Sequence, residues 1–85
     1  MLKLTHFARN RATTNNHGEP VYIKPDHISF MEQRTIGVVL TNEDFHKQPH
    51  ERIMETATLI TFHGGDALLV QESLETIAGL VEDHG

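Results

Sequence analysis

Thr58-Leu59-Ile60-Thr61-Phe62-His63-Gly64-Gly65-Asp66-Ala67-Leu68-Leu69-Val70 is the stretch whose reading decides the fold, and Gln71-Glu72-Ser73-Leu74 follows it. Two β-prone runs flank a glycine pair, which predicts a hairpin closed by a two-residue turn at Gly64-Gly65. Such a turn demands positive φ, and glycine adopts it without a steric penalty. A two-residue turn sets His63 opposite Asp66, Phe62 opposite Ala67, Ile60 opposite Leu69 and Leu59 opposite Val70. One face then carries Ile60, Phe62 and Leu69, and the other Leu59, Leu68 and Val70. Both faces are apolar, so each must be covered.

Downstream, Leu74, Ile77, Ala78 and Val81 recur at helical spacing, which predicts an amphipathic helix from about Ser73 to Val81. Ser73 is a suitable N-cap, and Glu72 and Glu75 sit where the helix dipole favours negative charge. The helix is short and contains Gly79, so its stability must come from docking on the sheet.

Upstream, Leu2 and Leu4 alternate with Lys3 and Thr5 in a first strand, Met1 to Phe7. Ala8 to Gly18 has no periodicity and reads as a mobile loop. Val21-Tyr22-Ile23 is a short second strand, stopped by Pro25. Pro25-Asp26-His27 reads as a turn in which Asp26 accepts local backbone N–H bonds. Strand character resumes from Ile28 to Gln33 and again from Ile36 to Thr41. Arg34-Thr35 is poor chemistry for a tight turn, so a hairpin and one bent strand both remain open here. Residues 42–51 are acidic and then histidine-rich, and strand signal returns near Met54. The expected fold is α+β: a small antiparallel sheet of four to six strands with one C-terminal helix packed on it.

The 85 residues make one small domain, and so short a chain buries only about 60% of its unfolded surface. With no cysteine there is no disulfide and no thiolate chemistry. A small core with an apolar hairpin face left over predicts a homo-oligomer, most simply a dimer. The net charge of −5 argues against a dedicated nucleic-acid binder, and seven histidines make that charge sensitive to pH below 7. No apolar run is long enough for a signal peptide or membrane span, which fits a cytoplasmic protein.

Three segments resemble a known family. They are Met1-Leu2-Lys3-Leu4-Thr5, the run Val21-Tyr22-Ile23-Lys24-Pro25-Asp26-His27-Ile28, and the Gly-Asp-x-x-x-Val-Gln-Glu-Ser-Leu-Glu of residues 65–75. In this order they resemble the FlbD-like (SwrD) family, small bacterial proteins from flagellar gene clusters. The resemblance implies a non-enzymatic accessory protein with no catalytic residues. The chain departs from the family in a longer loop after the first strand and in an apparent insertion over residues 34–56. More faintly, a hairpin running into Val-x-Glu-Ser-Leu-Glu is similar to the first half of LytTR DNA-binding domains.

The inserted stretch carries the candidate partner-binding residues: Phe45, His46, His50 and Arg52. One aromatic ring among polar and charged groups suits an anchor within a polar rim, although Phe45 tucking back onto the core is an equal expectation. His46 and His50 have the i, i+4 spacing of zinc ligands on a helix. Pro49 lies between them, and the expectation is a solvated loop with no metal. Asp26, Asp44, Asp66, Ser29 and Ser73 all read as turn, loop or cap residues, and no GxSxG, P-loop or GxGxxG is present. Neither enzyme activity nor a cofactor is expected. The leading expectation is a self-associating protein-binding module. The alternatives are a nucleic-acid-binding regulator using the Arg9 and Arg11 loop, and an acidic inhibitor of mobile-element origin.

Overall fold

A computed structural model describes residues 1–84. The elements are β1 (Leu2–Thr5), β2 (Pro20–Ile23), β3 (Ile28–Val38), β4 (Ile53–Phe62), β5 (Ala67–Val70) and α1 (Leu74–His84). The fold is α+β, with five antiparallel strands in two sheets, a β1–β2 ribbon and a β3–β4–β5 sheet, and one C-terminal helix. Residues 28–38 form one strand rather than a hairpin, with a register irregularity between Ile28 and Phe30.

The central hairpin closes over three residues, not two. The Phe62 N–H donates to the Asp66 carbonyl at 2.8 Å, and the Gly65 N–H donates to the Phe62 carbonyl at 2.9 Å. Of the glycine pair only Gly65 adopts positive φ, at 94°. A turn followed by one left-handed glycine is the common three-residue solution, and it leaves His63 and Gly64 without positive φ. The register therefore moves by one residue: Thr58 faces Val70, Leu59 faces Leu69, Ile60 faces Leu68 and Thr61 faces Ala67.

A one-residue slip exchanges the faces of one strand relative to the other. Leu68 and Val70 thus join Ile60 and Phe62, while Leu69 joins Leu59. The first face packs on Leu2, Leu4, Ile23 and Ile77, with Phe62 and Leu68 at its margin. The second holds a smaller cluster of Phe7, Ile36, Val38 and Ala57, against which Leu69 packs. The first face is covered by the chain itself and the second in part, by Phe7, with Leu59 and Leu69 left half-buried, so the hairpin does not by itself require a second subunit.

The end of the expected first strand and the start of the expected mobile loop supply that second cover. Beyond β1 the chain runs beside β5, where the Gln71 N–H donates to the Thr5 carbonyl and the Phe7 N–H to the Leu69 carbonyl. It then crosses the sheet and pairs in parallel with the end of β3. The Arg9 carbonyl accepts from the Val39 N–H at 2.8 Å, and the Arg11 N–H donates to the Val39 carbonyl at 2.7 Å. Phe7 and Ala8 are buried in this crossing. The Arg11 guanidinium grips the Glu55 carboxylate through two bonds of 3.0 Å and lies 5.1 Å from the Phe7 ring centre.

Helix α1 begins as its sequence indicates. Ser73 Oγ accepts the Thr76 N–H at 3.2 Å, and Ile77 is fully buried. Its buried stripe is rotated slightly from the expected one, because Ala78 is exposed while Leu80 and Val81 pack on the core. Glu72 does more than favour the dipole. Its carboxylate accepts both the backbone N–H and the hydroxyl of Thr5 at 2.8 Å, locking β1 to the helix entrance. The buried Thr58 hydroxyl is satisfied by the Glu72 carbonyl at 2.7 Å. At the other turn, Pro25–His27 is a single 3-10 turn closed by the His27 N–H donating to the Lys24 carbonyl at 3.1 Å, and among the described residues the Asp26 side chain accepts no backbone hydrogen bond.

Candidate functional site

Between β3 and β4 the chain makes two short 3-10 turns, Asn42–His46 and Pro49–Glu51. Asp44 organises the first. Its Oδ2 accepts the Leu40 and Thr41 N–H groups at 2.8 and 2.9 Å, and its Oδ1 lies 3.0 Å from Lys47 Nζ. The Lys47 hydrogen bond, followed by the two backbone donors, pushes the Asp44 carboxyl down to about 2. In the second turn the Gln48 N–H donates to Glu51, and Pro49 occupies the first turn, where its missing N–H costs nothing. Arg52 then reaches back, donating through Nε to the Asp44 carbonyl and through Nη2 to the Lys47 carbonyl, both at 3.4 Å.

These turns hold Phe45 beside β3, with 45% of its surface exposed, so the ring is neither in the core nor fully projected. It forms one wall of a groove of about 630 Å³. The apolar lining continues through Ile36, Val39, Leu59 and Leu69. The polar lining is cationic: Arg9 comes from the crossing segment, Arg34 from β3 and Arg52 from the second turn. Among the described residues no carboxylate lines it. Glu55 is engaged by Arg11 and Asp44 by Lys47, whereas Glu32 pairs with Arg34 itself at 2.7 Å. A chain of net charge −5 thus gathers three of its four arginines around one apolar hollow.

The four sequence candidates separate. Phe45 and Arg52 line the groove; His46 and His50 are exposed on different turns and neither lines it. Among the described residues no three His, Asp or Glu side chains converge as a metal-holding set. The sequence points to Arg9 only together with Arg11, as a nucleic-acid contact, and does not single out Arg34, because Arg9 and Arg34 lie 25 residues apart in the chain (34 minus 9) and meet only through the crossing segment. Arg11, grouped with Arg9 in the sequence, is committed to Glu55.

One histidine has an altered environment. His17 Nδ1 accepts the Ala8 N–H at 3.1 Å, and its ring stands edge-on to Phe7. Burial, and then the nearby Arg11 cation, lower its pKa from the usual histidine value. It braces the crossing segment from the outside.

The groove can hold an apolar side chain together with one or more anionic groups. Among the described residues no helix is long and apolar enough to cross a membrane. No family model, curated protein or solved structure matches this chain.

Proposed function

We propose that this chain is a non-enzymatic, self-associating protein-binding module of the cytoplasm, in keeping with its resemblance to FlbD-like flagellar accessory proteins. The observation that carries the reading is the groove, with Phe45 and Ile36 on its apolar wall and Arg9, Arg34 and Arg52 around it. Arginine forks suit carboxylates, and a half-exposed aromatic ring beside them suits an apolar anchor. The ligand class is therefore a protein segment in which an apolar side chain stands next to carboxylates.

The same three cations favour one second reading, a single-stranded nucleic acid whose bases stack on Phe45. Against it stand the net charge and the commitment of Arg11 to Glu55. Fluorescence anisotropy separates the two. A labelled peptide with one phenylalanine among glutamates is titrated beside an oligonucleotide of equal charge. Peptide binding weakened by Phe45→Ala and by Arg52→Ala is the expected outcome. Preference for the oligonucleotide, with a steep salt dependence, would establish the second reading. Binding of neither would remove the groove as the functional site.

A further inference from the structure

β3 is the edge of its sheet, with β4 on one side. Among the described residues no backbone hydrogen bond reaches its other side until Val39, just past its end. There the Arg9–Arg11 backbone pairs with it, so this edge already accepts an added strand. Gln33, Arg34 and Thr35 point alternately to the two faces and are all exposed, which leaves the middle of the strand uncovered on both. Folded proteins blunt such edges with prolines, bulges or short strands. β3 has 11 residues and no proline, and its one irregularity lies at the Ile28 end.

The strand is also complementary to itself. We propose that two copies of this chain join β3 to β3, antiparallel, about a two-fold axis at Gln33. In that register Glu32 faces Arg34 of the partner subunit, and Arg34 faces the partner's Glu32. Phe30 faces the partner's Ile36. Phe30, Glu32, Arg34 and Ile36 alternate onto one face of the strand, and on that face Arg34 and Ile36 line the groove. Phe30 is 54% exposed within a single chain. Pairing carries its ring, with the Glu32 carboxylate two residues on, to the apolar and cationic wall of the other copy. This rests on the ligand chemistry argued above for the groove and names its source: a second copy. Direct cross-strand opposite charges stabilise an antiparallel pair, and like charges in the same places oppose it. The two-fold symmetry uses each such contact twice.

Sedimentation equilibrium up to high micromolar concentration tests the register by charge exchange. The wild-type chain should be dimeric. Glu32→Arg alone or Arg34→Glu alone sets like charges opposite each other, and each should weaken the dimer by at least about tenfold. Mixing the two single variants restores complementarity, as does placing both changes in one chain, and both should recover the dimer. Circular dichroism of each variant checks folding, Arg34 being exposed and Glu32 half-buried. In addition, Gln33→Cys introduces the sole cysteine of the chain on the axis, where mild oxidation should link two copies. A dimer indifferent to all the exchanges would overturn this pairing and leave self-association to another surface. A monomer at every concentration that still binds the phenylalanine–glutamate peptide would overturn the second copy as occupant while keeping the groove as a protein site. A monomer that binds no peptide would remove both.

Discussion

Gly65 shows how much one backbone angle can decide. Its φ of 94° closes the hairpin over three residues, whereas Gly64 stays outside the left-handed region with open space around it. Gly65→Ala should therefore cost about 1 to 2 kcal/mol, and Gly64→Ala should stay within about 0.5 kcal/mol. Thermal melts of the two variants check this, and equal losses would contradict the turn described. Asp44 supplies a second residue-scale expectation. Its carboxyl falls from 3.8 unfolded to about 2 folded, so the unfolded chain binds more protons between those values. Its stabilising contribution is complete above about pH 4 and is lost as pH falls toward 2. Denaturant titrations of Asp44→Asn across that interval should show a shallower decline than wild type. A parallel decline in both proteins would assign the acid sensitivity to other carboxylates.

Among the elements, α1 depends most on its docking. An 11-residue helix containing a glycine is marginal in isolation, and Ile77, with no exposed surface, is the side chain that seats it. Ile77→Asp places an unpaired charge between helix and sheet and should destabilise by about 3 kcal/mol or more. A melting temperature within a degree or two of wild type would refute the packing. The strands follow a different logic. β3 and β4 are long because each pairs with the other along nearly its whole length, and at about 3.3 Å per residue the 11 residues of β3 span about 36 Å. The short β1–β2 ribbon has little area of its own and is held by Glu72, whose carboxylate takes both Thr5 donors.

The whole molecule is elongated, 44 × 23 × 22 Å, because the long hairpin sets its axis and the other elements wrap one end. The crossing segment, residues 5–11, closes this arrangement by joining β5 to the end of β3. Its side-chain lock is Arg11 on Glu55, part-buried, and the Arg11 bond holds the Glu55 carboxyl below its usual range. Arg11→Ala should release the segment locally without unfolding the sheet. Hydrogen exchange is the measurement: the Arg11 and Val39 amides should lose protection while that of Ile60 stays slow. Uniform loss at all three would mean that the segment and the sheet unfold as one unit. The groove depends on the same closure, since Arg9 reaches it only from the crossing segment.

What the sequence by itself determined is whatever depends on near neighbours in the chain. The alternation of Leu2 and Leu4, the β-branched run into Phe62, the Ser73 cap and the seating of Ile77 are local signals, legible because strand and helix periods recur within a few residues. The same locality placed Phe45 and Arg52 in one loop. Tertiary structure alone decided the hairpin register. A glycine pair permits a two- or a three-residue closure, and the choice rests on which strand faces find cover in Leu2, Leu4 and Ile77 or in Phe7. It also decided that residues 8–11 are pinned across the sheet, because Arg11 finds Glu55 44 residues away. The groove emerged for the same reason. Arg9, Arg34 and Arg52 carry no shared local pattern, and they converge only when the backbone pairing of Arg9 and Arg11 with Val39 folds the chain back on itself.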